Sequence, residues 1–93
     1  MQPTESELVI LHVLWSVGPS TVRTVNERLN ATGDGDKEIG YTTTLKLMQL
    51  MSAKGLVSRD TSSRTHIYAA ALPREKVQKG LLRRFVDNTF GGS

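Results

Sequence analysis

The sequence predicts a mainly α domain carrying one small antiparallel β-hairpin. Two observations point there. The run Tyr41-Thr-Thr-Thr-Leu-Lys-Leu-Met-Gln-Leu-Met-Ser-Ala53 has the apolar spacing of a helix and stops at Gly55, a residue suited to a helix C-terminus. Directly after it, Leu56-Val-Ser-Arg-Asp60 and Arg64-Thr-His-Ile-Tyr-Ala69 read as strands around the polar turn Thr61-Ser-Ser63, with Arg59 and Arg64 bracketing that turn. With two capped helical segments ahead of them, these pieces give a winged helix-turn-helix (α+β), with a three-helix core, a wing and a fourth C-terminal helix. That order places polar and cationic side chains on the two elements that would enter or flank a DNA groove.

The first helix is expected over Glu5–Val17. Thr4-Glu-Ser-Glu7 matches a capping box, and Gly18-Pro19 ends the segment. Leu8, Ile10, Leu11, Leu14 and Trp15 fall on one broad apolar arc, with Val9 and Val13 on the other side and His12 between them, which predicts two packing neighbours. Ser20-Thr21 offers an N-cap for a second helix over about Val22–Asn30, with Val22, Val25 and Leu29 inward and Arg23, Asn26 and Glu27 outward. Residues 31–37 form a loop by composition; their Asp34-Gly-Asp36 lacks the further acidic ligands of a calcium loop. Leu72-Pro73 opens the fourth helix, where Val77, Leu81, Leu82, Phe85 and Val86 make a wide apolar arc, and Gly91-Gly-Ser93 is a flexible end. The expected division is a winged-helix domain over 1–72 and, over 73–93, the fourth helix and tail as the start of a dimerisation region.

Size and charge narrow the function. At 93 residues the chain is one domain, and with 38% apolar and 23% charged residues it is globular in composition. It has no cysteine, so disulfides, thiolate metal sites and a cysteine nucleophile are excluded. The longest apolar stretch, Leu8–Trp15, is interrupted by His12 and too short to span a bilayer, and the first residues, with no basic segment ahead of an apolar one, do not read as a secretion signal. A cytoplasmic location without a membrane partner is therefore expected. The net charge of +3 is divided unevenly. Residues 1–40 hold Arg23, Arg28 and Lys37 against Glu5, Glu7, Glu27, Asp34, Asp36 and Glu38. Residues 41–93 hold nine Lys and Arg against only Asp60, Glu75 and Asp87. A basic half of this kind suits phosphate, although a solvated helical surface has the same composition. Catalysis is not supported: His12 and His66 stand in no metalloprotease spacing, and neither a phosphate-binding Gly loop nor a nucleophile elbow occurs. No cofactor or metal is expected.

The candidate readers lie on the third helix and the wing. Leu47, Met48, Leu50 and Met51 are assigned to its inward side, and Thr42, Lys46, Gln49 and Ala53 to its outward side, with Thr43 at the edge. Short threonines permit close approach to a major groove, where a hydroxyl can bond a base edge and a methyl can pack on thymine. Lys46 reaches a guanine edge or a phosphate, and Gln49 an adenine or a phosphate. One threonine, Thr44, is expected to cap or pack instead. Arg59 and Arg64 would clamp the DNA backbone or enter the minor groove; the competing reading is a solvated cross-strand pair beside Asp60. Tyr41 and Tyr68 can donate to phosphate, or Tyr68 can pack. A winged helix used for protein contact through the fourth helix and Phe90, with no DNA role, is the alternative.

The chain also resembles the N-terminal domain of the penicillinase-repressor family, the BlaI/MecI/CopY group. The resemblance rests on Glu7-Leu-Val-Ile-Leu-His-Val-Leu-Trp15, Thr21-Val-Arg-Thr-Val25, Tyr41-Thr-Thr-Thr44, Lys54-Gly-Leu-Val57 and Arg64-Thr-His-Ile-Tyr68, which span nearly the whole chain in the right order. It implies a homodimeric repressor on a palindromic operator that controls resistance or stress genes. Thr42, Thr43 and Lys46 would read bases and Arg59 and Arg64 the backbone, with Tyr41, Gln49, Thr21 and Arg23 in the contact set. Leu81, Leu82, Phe85, Val86 and Phe90 would serve dimerisation. Family members usually continue into dimer helices that carry the site cut by a sensor protease. The expectation here is thus a monomer or weak dimer for this length of chain and a homodimer for the full-length protein. The cysteine cluster of the copper-responsive branch is absent.

Overall fold

The computed structural model describes residues 3–32 and 38–77. Its elements are α1 (Glu5–Val17), α2 (Val22–Thr32), α3 (Tyr41–Ala53), β1 (Val57–Asp60) and β2 (Ile67–Ala70). The capping box forms as the sequence predicts. Thr4 Oγ1 accepts from the Glu7 amide at 3.2 Å, and Glu7 Oε1 accepts from the Thr4 amide at 2.9 Å. α1 ends at Gly18 and α3 at Lys54-Gly55; both glycines have positive φ, +87° and +81°, a region that L side chains rarely adopt.

One core holds the three helices and the hairpin together. It contains Ile10, Leu11 and Leu14 of α1, Val22, Val25 and Leu29 of α2, Met48 and Met51 of α3, and Leu56, Val57 and Tyr68 of the hairpin. Burial of each such large side chain contributes roughly 1.5–3 kcal/mol. α1 packs on α2, α3 and β2. Its second apolar side is weaker than the sequence suggested, because Val9 is exposed and Val13 only partly buried. His12 is exposed and meets Trp15 edge-on, with ring centroids 5.2 Å apart. The Trp15 indole donates to the Leu72 carbonyl at 3.0 Å and so ties the exit of the hairpin to α1.

The hairpin is shorter in its strands and longer in its loop than expected. β1 and β2 pair antiparallel from Val57↔Ala70 to Asp60↔Ile67, so residues 61–66 are all loop and Arg64 lies in it rather than on a strand. Local polar bonds explain the difference. Asp60 Oδ1 accepts from the Ser62 amide at 2.9 Å, and the Ser63 hydroxyl donates to the Thr65 carbonyl at 2.7 Å, which offers this backbone an alternative to ladder pairing. A further bridge joins Ser20 to Tyr68 through two backbone bonds of 2.8 Å. It fastens the turn before α2 to the hairpin.

Asn26 also departs from expectation. Instead of facing solvent it is half-buried, and its amide donates to the Ile39 carbonyl at 2.8 Å and to Thr44 Oγ1 at 3.0 Å. Asn30 adds reciprocal bonds to the Ile39 carbonyl and amide, at 3.0 and 2.7 Å. These bonds hold the approach to α3 against α2. Asn26→Ala is expected to cost about 1–2 kcal/mol, since it leaves the fully buried Thr44 hydroxyl without this donor. Urea unfolding measures the loss; a midpoint equal to wild type would show that the bonds contribute nothing.

Beyond β2, residues 74–77 are helical and Pro73 O accepts from the Lys76 and Val77 amides at 3.1 and 3.4 Å. The proposed dimer residues Leu81, Leu82, Phe85, Val86 and Phe90 lie outside the described residues, as does Asp34-Gly-Asp36.

Candidate nucleic-acid interface

Two neighbouring surfaces hold the residues singled out from the sequence. The first is the outward side of α3. Thr42, Thr43, Lys46 and Gln49 are exposed there, whereas Thr44 turns inward and is fully buried. The helix begins at Gly40 without a side-chain cap bond, so the amides of its first turn have no side-chain acceptor from the N-cap. Leu50 departs from expectation: assigned to the core side, it is 55% exposed. The angular reason is plain. At roughly 100° per residue Leu50 is about 200° from Met48 but only about 40° from Lys46, so it belongs to the outward face.

The second surface is an open cleft of about 500 Å³ lined by Thr21, Arg23, Tyr41, Arg64, His66 and Tyr68, among others. The fold explains why residues so distant in sequence meet. The Ser20–Tyr68 bridge brings the start of α2 to the hairpin, and Thr21 caps α2 by accepting from the Thr24 amide at 3.1 Å. Packing of α3 on α2 adds Tyr41, the first residue of α3. Two helix N-termini and two guanidinium groups thus converge on one cleft, which makes it attractive to an anion. Among the described residues, Arg23, Lys46, Arg59 and Arg64 have no carboxylate partner; the ion pair there is Lys54–Glu7. Their charge is available to an outside ligand.

The placements refine the sequence reading. Arg64 lines the cleft, whereas Arg59 stands on β1 opposite Tyr68 and is not part of the lining. The two arginines therefore stand in different parts of the wing, Arg59 on its first strand and Arg64 in its loop. Tyr68 is 1% exposed and belongs to the core, with one side at the cleft floor. Asp60 stays below the usual carboxylate range because of hydrogen bonds from the Ser62 side chain and amide, and so keeps its negative charge at the edge of the wing. His66 and Thr65 line the cleft but were not singled out for this site. Their adjacency to Arg64 in the chain is the signal that could have found them. Among the described residues no group of His, Asp and Glu is placed to hold a metal ion.

Both the fold and the sequence have known relatives. A solved structure of the DNA-binding domain of the repressor BlaI superimposes with a TM-score of 0.64 at 18% identity, covering 78% of this chain and 84% of that one. A transcriptional regulator from Clostridium thermocellum gives 0.62, also at 18% identity, covering 90% and 87%. At these identities the likeness establishes the winged-helix fold. In sequence, the chain is 35% identical over 77 residues to the transcriptional regulator BlaI of Mycobacterium tuberculosis, in two strains. The match covers 82% of this chain and 53% of the relative, so the chain spans about half the length of the curated relatives it matches. The family model of the penicillinase repressors matches residues 3–93, and the chain belongs to that family.

Proposed function

We propose that this chain is the DNA-binding part of a cytoplasmic transcriptional repressor that recognises a palindromic operator, one half-site per copy. The observation that carries the reading is the adjacency of the unpaired cationic cleft to the outward face of α3. α3 lies in the major groove, where Thr42, Thr43, Lys46 and Gln49 meet base edges. Thr21, Arg23, Tyr41 and Arg64 hold a phosphate at the cleft, and Arg59 touches the backbone from the wing. The winged helix over 1–72 supplies recognition, and the segment from Pro73 supplies dimerisation through Leu81, Leu82, Phe85, Val86 and Phe90. Family membership supports genes of β-lactam resistance or stress as the target, with cleavage of the dimerisation region by a partner protease as the release step.

The test is to select bound duplexes from a random pool and then titrate the recovered sequence while following backbone amides. A palindrome should emerge, and shifts should cluster at residues 41–49 and 59–65. Affinity should fall with salt by a log–log slope of about −0.9 per phosphate neutralised. Shifts confined to residues 77–90, or none with any duplex, would sink the reading in favour of a protein-contact module.

A further inference from the structure

Leu50 lies outside the core cluster. It is 55% exposed, while Met48 and Met51 on the same helix are fully buried. A single exposed leucine is ordinary on a protein surface. This one, however, shares a shallow hollow of about 310 Å³ with Lys46 and Gln49, two of the residues assigned to base readout. Along the outward side of α3 the sequence of groups is a threonine, a cation, then an isobutyl group, at Thr43, Lys46 and Leu50, all exposed.

The chemistry of Leu50 selects what it can face. It neither donates nor accepts hydrogen bonds. Pressed against a cytosine amine or a purine acceptor, it would strip water from a polar edge and return nothing. The one apolar group that the major groove presents is the C5 methyl of thymine. We infer that Leu50 is a specificity-determining residue that packs on one thymine methyl in each half-site, beside the base pair approached by Gln49. The inference rests on the proposal that α3 enters the major groove. It adds a requirement for thymine at one position beyond any that the threonine methyls impose.

The selected operator provides the test. Each thymine of one half-site is replaced in turn by deoxyuridine, which lacks only the C5 methyl. Wild type should lose roughly four-fold in affinity at one position, the effect of losing one buried methyl contact. Leu50→Ala should bind more weakly than wild type and be insensitive at that same position. Repeating the selection with Leu50→Gln should relax or change the base preferred there. If wild type binds its operator specifically but both proteins respond alike at every thymine, the inference fails while the groove reading stands. If no duplex is bound specifically, both fall. Leu50 is exposed, so unfolding midpoints near wild type should confirm that the variants are folded.

Discussion

Lys46→Ala should weaken operator binding by roughly ten- to a hundred-fold, corresponding to about 1–3 kcal/mol for a lost base-edge contact. The fold should be untouched, because Lys46 is exposed and among the described residues pairs with no carboxylate; a change within about 0.5 kcal/mol is expected in urea unfolding. Arg64→Ala separates readout from electrostatics. Arg64 lies at the cleft, where the N-termini of α2 and α3 meet, so its loss should weaken binding evenly across sequences and flatten the salt slope by about one phosphate. Gel shifts on cognate and scrambled duplexes at two salt concentrations distinguish the two patterns. Wild-type binding by both variants would show that neither surface touches DNA.

Much of the fold is legible in the sequence because its signals are local. Thr4 and Glu7 announce the start of α1, and the chain obeys them to the residue. α3 likewise runs from Tyr41 to Ala53 as its apolar period requires, and Gly55 stops it with a positive φ. Local signals also misled. The β-branched and aromatic run from Arg64 looks like strand throughout, yet Asp60 and Ser63 bond to nearby backbone and keep residues 61–66 out of the ladder. Hydrophobicity groups Leu50 with the core although its helical angle sets it beside Lys46, and polarity points Asn26 outward although it bonds to Ile39 and Thr44.

Several residues of the candidate cleft can be named from the sequence, but not their arrangement. Thr21 and Arg23 precede Arg64 by some forty residues, and only the Ser20–Tyr68 bridge brings them to one cleft. A two-residue bridge has no periodicity, and Ser20-Thr21 reads simply as a helix cap. The same lack of long-range information made Arg59 and Arg64 look equivalent. Register places Arg59 opposite Tyr68, and the loop carries Arg64 to the cleft.

The largest expected effect on stability belongs to a residue that the sequence presents as a simple cap. Glu7 is 2% exposed, and besides closing the box with Thr4 it accepts from Lys54 Nζ at 2.7 Å. Burial alone pushes its carboxyl up, but the Lys54 ammonium and the Thr4 amide and hydroxyl outweigh this and hold it below its ordinary value of 4.5. Glu7→Ala leaves the bond from the residue-7 amide to Thr4 but removes the reciprocal half of the capping box and the pair with Lys54, and should cost about 2 kcal/mol. The loss stays below that of a fully buried pair because Lys54, with its side chain 31% exposed, can rehydrate. A carboxyl lowered in the folded state contributes its stability above its unfolded value and loses it as pH falls through the folded one. Wild type and Glu7→Ala should therefore differ most at neutral pH and converge below 4.5, whereas Glu7→Gln should keep part of the cap and show less of this pH dependence. Urea unfolding at neutral pH and at two acidic values tests it; a gap unchanged by acid would show that the carboxylate charge plays no part. The consequence extends to recognition. Lys54 is the C-cap of α3, and Thr44, in its first turn, is bonded to Asn26. α3 is thus pinned to α1 at one end and to α2 at the other by polar contacts of defined geometry. Apolar packing of Met48 and Met51 alone would leave the helix free to roll, and its outward residues would then lose their register against the bases.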